Sequence, residues 1–343
     1  MDTPPSDADG PLLAGDLIDD VPIKGFTFQP SGGIVSRDDD HVLFASDADG
    51  DRPPWRPVSA VTGALPGEGC RVRAEWVKPA ADVTPGFPDA VDRMMRDPDR
   101  GWAGITEALL PTRRQPDRTD VWLVGGAVRD LLLGTADDLV NDIDLAGTTP
   151  VGYFAEQADQ ACLGAGKGDL RTKVVAGVVS IRRGRLGDPP MIDYRPLHQD
   201  GFRFPASGSD LRADVTRRDL TVNCLFYDRR TRTIVDPTGA GLADLLGGDQ
   251  PVLAAVDGPK DPADRADVLL RAVRMLIRWP LLPATQCRVG RQVAVDPATL
   301  REIRRRSDRH LTGAGSGQIW DAVIRLAGDD LGLRDLLLEA LDA

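Results

Sequence analysis

Residues 121–134 read VWLVGGAVRDLLLG, and residues 141–147 read NDIDLAG. In the first stretch an apolar run meets Gly125-Gly126 and then an apolar-periodic segment. That pattern predicts a strand over 121–124, a tight turn, and a helix over 127–133. Glycines at such a junction let the backbone approach a ligand closely, and the free N–H groups and positive dipole end of the new helix face it. Arg129, one turn into the helix, is a candidate for a bidentate phosphate contact. In the second stretch, strand residues i and i+2 share a side, so Asp142 and Asp144 project together while Ile143 and Leu145 enter the core. Two carboxylates so close repel each other unless a divalent cation lies between them. An all-oxygen pair suits Mg²⁺, which keeps waters and bridges to phosphates.

Around this centre the pattern is α+β. Further strands are predicted over 174–182 and 191–194, with helices over 88–110 and 150–163. Beyond residue 262 the chain reads as helical, over 264–278, 297–306, 317–327 and 331–341. A length of 343 residues predicts about two domains at roughly 150 residues each. Residues 1–20, rich in Pro, Asp and Gly, read as a frayed tail. Residues 21–80 alternate short β-like runs with turn clusters and read as a small β-rich domain, with a loose OB-like resemblance over 57–77. There Trp55 and Trp76 read as core or edge residues. Residues 81–119 read as linker and helix, the prolines and glycine of 79–88 interrupting any regular period. The central unit spans 120–248, and 249–343 forms a helical C-terminal part.

Composition narrows the function. The net charge is −11, and the acids are almost all Asp, 47 against 6 Glu, as the bases are almost all Arg, 37 against 5 Lys. A single Asp therefore carries little information, and position has to. The acidity is concentrated in the first 120 residues, whereas Arg265 to Arg309 holds eleven Arg against four acids, a local +7. Such a stretch suits a phosphate-facing surface or a solvated helix face. Cys70, Cys162, Cys224 and Cys287 form no CxxC pair, so neither a zinc site nor a disulfide framework is indicated. No apolar run approaches the roughly 18 residues of a membrane span, and the acidic N-terminus does not resemble a signal peptide. The expectation is a cytoplasmic protein with no membrane partner.

Strand, Gly-Gly, Val-Arg-Asp on a helix and then Asp-x-Asp resembles the head domain of class II tRNA nucleotidyltransferases and bacterial poly(A) polymerases, within the polymerase β-like superfamily. Three more segments agree in order. RRDLTVNCLFYD (217–228) resembles that family's second motif, IVDPTGAGLADL (234–245) its hinge, and LLRAVRM (269–275) its neck helix. The segment LREIRRRSDRHLTG (300–313) resembles the helix joining neck to a reduced body. The resemblance implies a polymerase β-like head of mixed sheet and helices, and a Mg²⁺-dependent nucleotidyltransferase. Asp142 and Asp144 would hold two Mg²⁺ ions, with Mn²⁺ able to substitute, and Asp193 is the candidate third carboxylate. Gly125, Gly126 and Arg129 would seat the triphosphate of ATP or CTP. Arg218 and Asp219 would contact its sugar and phosphates, Asn223 would brace the site or the ribose, and Arg271 and Arg274 would reach the nucleotide from the neck.

The pattern departs from the family in two places. The neck positions that hydrogen-bond the incoming base fall on Arg265 and Val268, and valine cannot donate to a base edge; a shifted solution uses Asp261 or Asp264 with Arg265. The helical part after residue 245 is also short. The implied partners are an NTP and the 3′ end of tRNA or a related RNA. The alternatives are the same chemistry on a small-molecule or protein acceptor, and an inactive RNA-binding module.

Overall fold

A computed structural model describes residues 72–110, 120–134, 140–166, 169–184, 190–198, 208, 210–278 and 285–342. The proposed tail and most of the proposed β-rich domain, including Trp55 and Cys70, lie outside these residues.

The described chain opens on a 3₁₀ turn (Ala74–Trp76) and strand β1 (Val77–Pro79), followed by helices α1 (Ala80–Val83), α2 (Phe87–Arg96) and α3 (Ile105–Leu109). The stretch 79–88, read as linker, is folded. β1 pairs antiparallel with a later strand on the edge of the main sheet. Gly86, with φ of 83°, turns Phe87 into the core, where its ring meets Tyr227 edge-on at 5.0 Å. The single helix predicted over 88–110 is two helices. Proline at 98 restricts Asp97 to extended backbone, and Gly104 adopts a positive φ of 83°. Trp102 fills the corner, its indole N–H donating to the Met94 carbonyl at 2.9 Å.

Next come β2 (Val121–Val124), α4 (Gly125–Leu132), β3 (Ile143–Gly147), α5 (Val151–Gly164), β4 (Leu170–Val175), β5 (Val178–Arg183) and β6 (Pro190–Pro196). The one strand predicted over 174–182 is a hairpin. Ala176 and Gly177 both take positive φ, 47° and 77°, as a two-residue hairpin turn demands. Then follow α6 (Leu211–Thr216), a 3₁₀ turn (Thr221–Asn223), β7 (Phe226–Asp228), β8 (Thr233–Val235), α7 (Gly241–Leu246) and β9 (Val252–Leu253). The helical part comprises α8 (Pro262–Arg278), α9 (Val289–Gln292), α10 (Pro297–Leu311), α11 (Ser316–Ala327) and α12 (Leu331–Leu341), with β10 (Gln286–Cys287) beside β9.

The main sheet has eight strands in the order β1-β8-β7-β2-β3-β6-β5-β4. It is mixed: β3 and β6 run parallel and the other pairs antiparallel. Its centre is apolar on both faces, which is why VWLV reads as a continuous hydrophobic run rather than an alternation. Leu123, Ile143, Leu145, Ile192 and Tyr194 face the larger core with helices α2, α4 and α5. Trp122, Val124, Ala146, Phe226 and Val235 face a smaller cluster with α6. On this second face Asp144 lies level with Val124 on one side and Asp193 on the other. The acidic residues thus stand at the open end of the smaller layer.

The helices before β2 are clamped to the sheet by Arg229, with Arg232 adding a second contact to Asp92 at 2.9 Å. The Arg229 guanidinium, 1% exposed, donates to Asp92 at 2.9 Å, to Glu107 at 2.6 Å and to the Leu110 carbonyl at 3.1 Å. At the hinge, Asp236 accepts from Thr238, Gly239 and Leu242 and so anchors the start of α7.

Candidate active site

A cleft of about 650 Å³ opens between the second face of the sheet and α8, within the range of small-molecule sites. Every residue assigned from the sequence to the carboxylate centre or to the nucleotide's sugar and phosphates, Gly125, Gly126, Arg129, Asp142, Asp144, Asp193, Arg218, Asp219, Asn223, Arg271 and Arg274, lines it.

The carboxylates come from the strand pattern. Asp142 precedes β3 and is exposed; Asp144 and Asp193 face each other across parallel strands β3 and β6. Burial first, then the like charges of Asp142 and Asp193, push the Asp144 carboxyl up to about 7, against the opposing pull of Arg271 and Arg218. Burial likewise raises Asp193, opposed by the Ser180 hydroxyl and Arg182. Gly125 makes room for this arrangement. Its φ is +72°, and a Cβ there would stand 2.7 Å from Asp144 Oδ2.

The donor set fits a divalent cation. Asp193 Oδ1 is buried with no hydrogen-bond partner among the described residues, and a cation between Asp142 and Asp144 would relieve the repulsion that raises Asp144. Among the described residues no three acidic, histidine or cysteine groups close into a complete metal cage. An open carboxylate pair matches Mg²⁺, which keeps waters and shares its shell with phosphate oxygens. Asp193 stands in register beside that pair without completing a cage.

Behind the carboxylates runs a buried polar chain. Arg129, 4% exposed, donates to Asp130 at 2.8 Å and to Asn223 Oδ1 at 2.6 Å. Asn223 Nδ2 donates to Asp219 at 3.0 Å, and the other oxygen of Asp219 meets Arg271 of α8 at 2.8 Å. Arg129 is thereby committed to bracing Asn223 under the cleft floor. Burial tends to raise Asp219, but Arg271, Asn223 and the Leu220 N–H hold its carboxyl below the ordinary range. Arg218 lies over the Phe226 ring at 4.7 Å and donates to Asp214 at 2.8 Å.

On α8 the positions in doubt are resolved structurally. Arg265 is drawn away to α10, bonding Thr299 at 3.0 Å and Asp296 at 2.6 Å. Val268 is 2% exposed and contributes an apolar patch to the cleft wall. Lys260, Asp264 and Asp267 line the same cleft. Much of the local +7 is spent on ion pairs, among them Arg278 with Asp130, Arg304 with Glu339, Arg305 with Glu302, and Arg306 with Asp267 and Glu302.

The sequence reading missed Arg195, Arg217, Lys260 and Arg309, all on the cleft wall. Arg195 had a usable signal, since it lies two residues beyond Asp193 in the same strand and so on the same face. Arg309 and Lys260 had none, because their placement depends on how α10 and the turn before α8 pack.

Residues 121–249 match the model of the "Poly A polymerase head domain" family. A CC-adding tRNA nucleotidyltransferase of Synechocystis is 30% identical over 216 residues, 62% of this chain and 45% of that protein. Poly(A) polymerase I of Escherichia coli O6:H1 is 30% identical over 163 residues, 45% of this chain and 33% of the relative. The chain thus spans less than half the length of these relatives. Among solved structures, the Thermotoga maritima CCA-adding enzyme complexed with tRNA matches at 20% identity and a TM-score of 0.36, covering 65% of this chain and 46% of that one.

Proposed function

From the match of residues 121–249 to the poly(A) polymerase head-domain family we propose that the chain transfers a nucleoside monophosphate from ATP or CTP to the 3′ end of tRNA or a related RNA. The observation that carries the proposal is convergence. Segments up to 150 residues apart bring Gly125, Asp142, Asp144, Asp219 and Arg274 into one cleft.

The acceptor hydroxyl gives up its proton to solvent water, its oxygen bonds to the α-phosphorus, and the bond from that phosphorus to the bridging oxygen breaks to release pyrophosphate. Mg²⁺ bound at Asp142 and Asp144 would lower the pKa of the hydroxyl and neutralise charge on the triphosphate. Gly125 and Gly126 let the triphosphate approach the start of α4. Arg271 and Arg274 offset its charge from the α8 wall and Arg218 from the sheet side. Arg129 and Asn223 hold Asp219 in place, and Asp219 holds Arg271. The apolar patch at Val268 receives the base, with Lys260 and Asp264 in the same cleft.

The test is incubation with each labelled NTP and a tRNA lacking its 3′ end. Extension that Asp142→Ala abolishes supports the reading. No extension with any NTP in Mg²⁺ or Mn²⁺ overturns it, and salt-insensitive transfer to a non-RNA acceptor replaces it.

A further inference from the structure

Strand β6 carries an acid and a base side by side, each with one buried atom left without a hydrogen-bond partner among the described residues. Asp193 and Arg195 are two residues apart on one face, roughly 7 Å along the strand, and both line the cleft. They do not pair with each other: Asp193 Oδ1 and Arg195 Nε are each buried with no hydrogen-bond partner among the described residues.

The surroundings of Arg195 offer its guanidinium little. Its partner in register on β3 is Ala146, and on the β5 side the cleft-lining neighbour is Val178. The nearby carboxylates attract Arg195 through space but take their hydrogen bonds from other groups. Asp214 accepts from the His198 N–H at 2.8 Å and from Arg218 at 2.8 Å, and Asp219 accepts from Asn223, Leu220 and Arg271. A buried donor without an acceptor costs about 1–3 kcal/mol, more when it is charged. Such groups in native structures call for an explanation, and one is a partner supplied from outside the chain.

We propose that Arg195 is a phosphate-binding residue of the cleft, donating from its guanidinium to an anionic phosphate oxygen held between β6 and the Arg218–Asp219 segment. Two sources supply that oxygen, the triphosphate of the nucleotide and a backbone phosphate of the RNA acceptor. The fork of an arginine suits either, whereas a lysine offers only a point charge. The proposal rests on the nucleotidyltransferase reading for the identity of the ligand, and on the buried, unsatisfied Nε of Arg195 in the cleft wall for the existence of the site.

Equilibrium binding of ATP, of CTP and of a tRNA lacking its 3′ end, measured for wild type, Arg195→Gln and Arg195→Lys at two salt concentrations, tests it. Arg195→Gln is expected to weaken at least one ligand about tenfold or more, the scale of a lost charge-assisted contact, with Arg195→Lys recovering part of the loss. Weaker ATP or CTP binding assigns the triphosphate. Weaker RNA binding, with a salt slope reduced by about one contact, assigns the acceptor strand. Binding of all three ligands within twofold of wild type overturns the proposal. Should Arg195→Gln fail to fold, Arg195→Lys decides, since full retention of every affinity by a point charge contradicts a forked contact. A wild-type protein that binds nucleotide and RNA but extends nothing defeats the reaction, not the site; one that binds neither defeats both.

Discussion

Arg271 on helix α8 and Asp219 after helix α6 meet at 2.8 Å, and this ion pair fastens the helical part of the chain to the sheet-bearing part at the edge of the cleft. The pair is lopsided. The Arg271 side chain is half exposed, while Asp219 is largely buried and also accepts from Asn223 and from the Leu220 N–H. Removing the acid strands several donors, whereas removing the base leaves a carboxylate that is still hydrogen-bonded. Asp219→Ala is therefore expected to cost about 2–3 kcal/mol and Arg271→Ala under about 1 kcal/mol, measured by urea unfolding. Equal losses would contradict the asymmetry.

Asp144 gives a prediction of opposite sign. Its carboxyl is raised to about 7 by burial and by Asp142 and Asp193, so the folded protein holds this proton more tightly than the unfolded chain. Its contribution to stability is fully present below the ordinary carboxylate range near pH 4 and is lost as pH rises through about 7. At pH 8 without divalent ions, Asp144→Asn is expected to stabilise the protein by about 2 kcal/mol, seen as a higher Tm. The same variant should lose the rise in Tm that Mg²⁺ gives the wild type. A lower Tm for Asp144→Asn in metal-free buffer would refute the geometry.

The two adjacent glycines separate cleanly. Gly125→Ala forces a side chain into a φ of +72° and sets its Cβ 2.7 Å from Asp144 Oδ2, which should cost about 1–3 kcal/mol and abolish Mg²⁺-dependent stabilisation. In Gly126→Ala the new Cβ meets Arg129 Nη2 at 3.6 Å, an ordinary contact. Thermal shifts with and without Mg²⁺ on both variants decide it, and a Gly126→Ala defect as large as that of Gly125→Ala would be the wrong outcome.

Acid unfolding should run through Asp214. Burial would raise its carboxyl, but Arg218, Arg195 and the His198 N–H hold it below the ordinary range. A depressed carboxyl contributes stability above its unfolded pKa near 4, and that stability is lost as pH falls through the lower folded value. Asp214→Asn is expected to lose about 3 kcal/mol at pH 7 and to show a flatter decline in stability below pH 4. An unchanged acid limb would show that Asp214 does not carry it.

What could be read from the sequence was what depends on near neighbours. The strand entering Gly125-Gly126, the shared side of Asp142 and Asp144, and the one-face spacing of Arg271 and Arg274 all follow from local periods of two or about three and a half residues. The hairpin at Ala176-Gly177 was hidden because alanine is a poor signal for a left-handed turn. The burial of Arg129 was hidden because its partner Asn223 is 94 residues away. Residues 79–88 looked like linker because prolines and glycine break a period, yet Phe87 finds its place against Tyr227, which no window of sequence contains. Arg195 escaped because an arginine is unremarkable in a chain with 37 of them, and only its surroundings set it apart.

The clamp at Arg229 bears on where this molecule can be cut. The matched family segment starts at residue 121, but Asp92, Glu107 and the Leu110 carbonyl all precede it. A chain trimmed to begin there would keep a guanidinium at the sheet's edge with its three acceptors gone, and would also lose the strand that closes β8. The start of the matched segment and the start of the sheet therefore differ by 44 residues, from Val77 to residue 121, and a piece that keeps both the clamp and the edge strand includes Val77.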